Sequence, residues 1–182
     1  MKFFILVVLL IIIIKGLFVL FTSISVPVTG GAIFTRTHPS MIKKILENIA
    51  LESNQIVYDL GCGDGRFLRA IVKRYNVRGI GFEINPWAYF LAKIYNVFSQ
   101  TQVNIMFANF WHKRVSNADL VFCYLFPDVM RRLKEKLEKE LRPGTSVVSC
   151  NFPIPDWQPE KIIYAASPYN DPIYIYQFKL SQ

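Results

Sequence analysis

Residues 57–67 read VYDLGCGDGRF. An acidic side chain, Asp59, closes an apolar run, and Gly61, Gly63 and Gly65 follow at alternate positions. Glycine permits a tight turn and lets a ligand meet the backbone with no Cβ in the way. A dinucleotide site would instead need G-x-G-x-x-G, so that a pyrophosphate meets a helix N-terminus. Arg66 holds the sixth position here, which argues against a nicotinamide or flavin cofactor. A second acidic residue, Glu83, ends the next apolar run, GIGFEINP at 79–86. Its two oxygens suit the paired hydroxyls of a ribose. There is no Ser/His/Asp or Cys/His grouping for nucleophilic catalysis. Cys62, Cys123 and Cys150 form no C-x-x-C pair and the two His lie far apart, so no metal site is expected. The cysteines read as reduced, mostly buried thiols.

These residues need strands to end on and helices to follow. Apolar strands are expected at 55–60, 78–84, 103–108, 119–124 and 145–151. Helical spacing of apolar residues marks 38–51, 64–75, 86–98 and 127–141. Pro86 suits a first helical position, and Arg142-Pro143-Gly144 stops the last helix. Segments 161–166 and 173–180 flank the turn-rich SPYNDP and read as a terminal hairpin. The alternation predicts an α/β fold: a Rossmann-like, seven-stranded, mostly parallel sheet with a C-terminal antiparallel hairpin. In such sheets ligands bind beyond the carboxyl ends of the strands, where both motifs fall.

Composition places this domain in context. The chain has 182 residues, 52% hydrophobic and 19% charged, which excludes a disordered chain. Residues 3–21 read FFILVVLLIIIIKGLFVLF, with Lys15 the one charge. Nineteen residues in a helix reach roughly 28 Å, close to the ~30 Å hydrocarbon core of a bilayer. Residues 1–21 are therefore expected to be a transmembrane anchor, 22–37 a linker and 38–182 the catalytic domain. Arg36, Lys43 and Lys44 after the apolar segment favour a single-pass topology with the domain facing the cytosol, or the matrix if mitochondrial. The net charge of +8 makes nucleic acid an alternative partner. Much of it lies on two helices, as Arg66, Arg69, Lys73 and Arg74, and as Arg131, Arg132, Lys134, Lys136 and Lys139 interleaved with Glu135, Glu138 and Glu140. Helix-surface pairing explains the second group more simply.

Over residues 56–150 the chain resembles the class I S-adenosylmethionine-dependent methyltransferases. GFEINPW (81–87), ADLVFCYLFPDVM (118–130), CNFPIPDW (150–157) and the apolar N-terminal segment together resemble a narrower family. This is the membrane-anchored protein lysine methyltransferases typified by the ATP synthase c-subunit lysine N-methyltransferase. The resemblance implies S-adenosylmethionine as cofactor. It implies that Asp59, Gly61, Cys62, Gly63 and Gly65 hold its methionine end and Glu83 its ribose, with Ile84, Asn109 and Phe110 completing the cofactor set. Cys62 stands where that family often has Ser, and Asn109 where an acidic residue commonly caps the adenine amino group. The proline-bearing stretch before the first helix is present approximately, as AIFTRTHPS.

The expected function is methyl transfer to a lysine of a membrane-associated protein. RNA or DNA, a lipid- or quinone-type small molecule, and a silent assembly or binding factor are the alternatives. Sulfonium chemistry asks the protein mainly for positioning. Tyr124, Phe126 and Pro127, after the fourth strand, are candidates for the acceptor wall, with Trp157 closing it; no general base is assigned.

Overall fold

The computed structural model describes residues 2–29, 35–165 and 170–179. Helix α1 runs Lys2–Thr29 and α2 Pro39–Asn48. Strand β1 (Ile56–Leu60) leads to α3 (Arg66–Tyr75), and β2 (Arg78–Glu83) to α4 (Pro86–Phe98). Strand β3 (Val103–Phe107) precedes a short 3-10 turn, Phe110–His112. Strand β4 (Leu120–Cys123), α5 (Pro127–Glu140) and β5 (Ser146–Cys150) follow, then β6 (Lys161–Tyr164) and β7 (Pro172–Gln177).

The seven strands form one sheet in the order β3-β2-β1-β4-β5-β7-β6. The first five are parallel; β7 pairs antiparallel with both β5 and β6. The sheet and its terminal hairpin therefore match the sequence expectation. Strand order reverses between β1 and β4, where Asp59 sits opposite Gly81 on one side and Phe122 on the other. This reversal opens the crevice in which parallel sheets take ligands.

Helix α3 packs closely on the sheet because β2 presents glycines beneath it. A Cβ at Gly81 would meet Cys62 Sγ at 2.6 Å and Leu68 Cδ1 at 2.7 Å. Phe67 of α3 stacks on Phe122 of β4, centroids 3.8 Å apart. On the other side Tyr58 of β1 and Val121 of β4 pack with Met130, Leu133 and Leu137 of α5 in a second buried layer. All three cysteines are free and buried.

The N-terminal expectation is corrected. Among the described residues, no helix is long and apolar enough to cross a membrane. Helix α1 also continues through 22–29, half of the expected linker, and packs against α4. The transmembrane helix, the single-pass topology with its cytosol- or matrix-facing domain, and the membrane as a partner through this helix all fall with the anchor.

Candidate active site

The turn after β1 is built around a buried carboxylate pair. Gly61, Gly63 and Gly65 all take positive φ, at 89°, 56° and 74°. The N–H groups of Gly61 and Cys62 donate to the Phe82 carbonyl of β2, pinning the turn to its neighbour strand. Glu83, 7% exposed, reaches back under it. Its Oε2 accepts from Gly63 N at 2.7 Å, and its Oε1 from Ile84 N at 2.8 Å and Asn85 N at 2.7 Å. Burial raises the Glu83 pKa, and these three N–H donors oppose the rise. Glu83 is thus a staple of the turn as well as a possible ligand, with one oxygen keeping spare acceptor capacity.

Asp59 is 2% exposed, and its Oδ1 is buried with no hydrogen-bond partner among the described residues. Burial, aided by the charges of Glu83 and Asp64, pushes its carboxyl well above the usual range. An unpaired buried acceptor is costly, and is retained where a donor is to arrive. The chemistry of this donor set fits S-adenosylmethionine, whose ammonium and ribose hydroxyls all donate.

Sequence reading did not identify the neighbouring ion cluster. Asp64, 2% exposed, pairs with Arg66 Nη2 at 2.8 Å and with Arg36 Nε at 3.6 Å. Burial acts to raise its pKa, but Arg66 and Arg69 hold it below the usual carboxylate range. Arg66 Nη1 also donates to the Thr37 carbonyl at 3.3 Å. Residues 35–37 thereby cross over the glycine turn like a strap. Only about 20 Å³ remains between them and Asp59, Phe122 and Tyr124. Larger hollows of about 500 and about 730 Å³ lie beside Trp157 and at the amino ends of β2 and β3, and a third of about 590 Å³ opens between α2, α3 and α4 beside Asp64 and Arg66. None of the three is lined by Asp59 or by Gly61, Gly63 or Gly65, and carboxyl strand ends are where such sheets bind ligands, so the small cavity at Asp59 is the candidate site.

The remaining sequence candidates spread along the sheet rim. Cys62 is buried against Gly81, its thiol pushed well up by burial and by the charges of Asp59 and Glu83. Asn109 caps the 3-10 turn, its Oδ1 accepting from Trp111 N at 3.0 Å. Phe110 begins that turn and packs on Trp111. Tyr124 lines the cavity; Phe126 and Pro127 are exposed at the start of α5 and are not among its walls. Trp157 lies elsewhere, packed on Tyr176 and Phe178 with Nε1 donating to Glu138.

The sheet order, the switch-point crevice and the acidic glycine turn define a class I S-adenosylmethionine-dependent methyltransferase. The chain belongs to the family of the ANTKMT methyltransferase domain, whose model matches residues 59–161. It is 37% identical over 147 residues to a protein-lysine N-methyltransferase of Saccharolobus islandicus, covering 79% of this chain and 91% of that one. It is 29% identical to the ATP synthase c-subunit lysine N-methyltransferase of Xenopus laevis, covering 68% of this chain and 54% of the relative. Among solved structures it resembles an RNA methyltransferase from Salinibacter ruber in complex with S-adenosyl-L-homocysteine. There the TM-score is 0.73 at 26% identity, covering 81% of this chain and all of the other.

Proposed function

We propose that this enzyme methylates the side-chain amine of a lysine in a protein. The observation that carries the reading is kinship: the curated relatives, from Saccharolobus to mouse and human, are named lysine N-methyltransferases, including one that this chain matches over most of both lengths. The cofactor supplies an electrophilic methyl group on a sulfonium. Asp59 Oδ1 takes a donor at the methionine end, the glycine turn lies along that end, and Glu83 fixes the turn while its spare capacity meets a ribose hydroxyl. Ile84, Asn109 and Phe110 lie farther along the rim, toward the adenine side. Tyr124 offers an aromatic wall beside the reacting end. A lysine attacks only as the neutral amine; a desolvated position near positive charge lowers its pKa toward that form.

The Salinibacter likeness favours RNA as a second reading. The charge distribution opposes it, because many of the basic side chains are already engaged. Arg66 and Arg69 serve Asp64, Lys134 and Lys136 pair with Asp156 and Glu140, and Arg132 stacks on Trp111 at 4.2 Å. The test incubates the purified protein with methyl-tritiated S-adenosylmethionine and cell extract, then separates protein from RNA. Methyl-lysine in the protein hydrolysate supports the reading; label confined to RNA or lipid rejects it.

A further inference from the structure

Asn151 directly follows β5 and takes a left-handed backbone, φ 66°. Its N–H donates to the Pro172 carbonyl at 2.8 Å, holding it against the start of β7. Its Nδ2 donates to the Tyr124 hydroxyl at 3.1 Å, across the ends of β4 and β5. Its Oδ1 is buried and accepts no hydrogen bond among the described residues. The other such side-chain atom among them is Asp59 Oδ1. Both orphans are acceptors and both sit at carboxyl ends of central strands. Tyr124 links them, bonded to Asn151 and walling the cavity that holds Asp59. Only β4 separates β1 from β5, so the two rim positions are about 10 Å apart. Asp59 is accounted for by the cofactor; Asn151 is not.

We propose that Asn151 Oδ1 accepts a hydrogen bond from the amine being methylated and orients it for attack, with Tyr124 holding the amide; this rests on the lysine reading above. A neutral acceptor suits the task. A carboxylate here would favour the ammonium form, whose lone pair is occupied, whereas an amide oxygen can take an N–H without that bias. The nitrogen lone pair forms the N–C bond as the S–C bond breaks, its electrons passing to sulfur, and the new ammonium releases a proton to water. The competing explanation is that Asn151 serves only as a residue tolerant of the left-handed turn. Glycine adopts that conformation more readily still, which separates the two explanations.

The experiment compares full-length wild type, Asn151→Gly and Asn151→Asp. The acceptors are poly-L-lysine and total cell protein, with methyl-tritiated S-adenosylmethionine. Asn151→Gly should keep its unfolding midpoint and its calorimetric affinity for S-adenosylhomocysteine, yet form methyl-lysine about tenfold more slowly or worse, the scale of one lost hydrogen bond. Asn151→Asp should move the pH–rate profile to higher pH. The new carboxylate would join Tyr124 just after β4, Cys150 from β5 and Asp171 before β7, which already face one another. Wild-type rates in Asn151→Gly, or an unshifted profile in Asn151→Asp, overturn the assignment while leaving the lysine reading intact. No methyl-lysine from the wild type with either acceptor overturns both.

Discussion

Asp59 and Glu83 are both buried acids at strand ends, yet their surroundings give them different work. Glu83 is compensated by three backbone donors. Glu83→Ala would strand those N–H groups, so it should destabilise the fold by roughly 1–3 kcal/mol in denaturant titration, beyond any loss of ligand. Asp59 has no such compensation at Oδ1. Its folded-state pKa is raised, so the folded protein binds that proton more tightly than the unfolded chain does. The ionised form therefore costs stability above the raised pKa, and the cost disappears as pH falls through it. Asp59→Asn should raise the unfolding midpoint by a few degrees at pH 8, about 1 kcal/mol, and by less at pH 5. A lower midpoint at pH 8 would contradict the electrostatic reading. Asp64 has the opposite sign. Its lowered pKa lends stability that is present above the unfolded value and lost as pH falls through the folded one. Arg66→Ala should accordingly shift acid unfolding to higher pH, as followed by circular dichroism.

At the scale of elements, the site depends on how closely α3 approaches β2. Gly81→Ala would set a methyl group into Cys62 and Leu68, and should cost about 1–3 kcal/mol of stability as overpacking; a neutral result in chemical denaturation would mean the layer is looser than its contacts indicate. The strand-turn-helix units were legible in the sequence because their signals are local: apolar runs, alternating glycines and Pro86 at a helix start. What was not legible depended on chain separation. Glu83 meets Gly63 across 20 residues and Asn151 meets Tyr124 across 27. The placing of Asn151 also depends on the register of β7 against β5; the terminal hairpin was legible, its pairing with β5 was not. Trp157, expected to close the acceptor wall, packs instead on Tyr176 of β7 and on Phe178.

For the whole molecule, the methyltransferase sheet is complete without α1, which contributes no strand and packs on α4 at the sheet's flank. The apolar N-terminal segment looked like an anchor because hydropathy alone registers length and composition. The fold instead sets α1 beside α4, and among the described residues no helix is long and apolar enough to cross a membrane. Removing residues 1–29 should leave affinity for S-adenosylhomocysteine within about twofold, measured by calorimetry; a larger loss would show that α1 supports the site through α4. Everything proposed for the acceptor presumes that the rim around Asp59 receives the adenosyl cofactor. Calorimetric titration of the full-length protein with S-adenosylhomocysteine, beside Asp59→Asn, tests this most directly. One-to-one binding, weakened at least about tenfold in the variant by loss of a charge-assisted hydrogen bond, is the expected result. A folded wild type that binds nothing, or equal affinity in the two proteins, would contradict it.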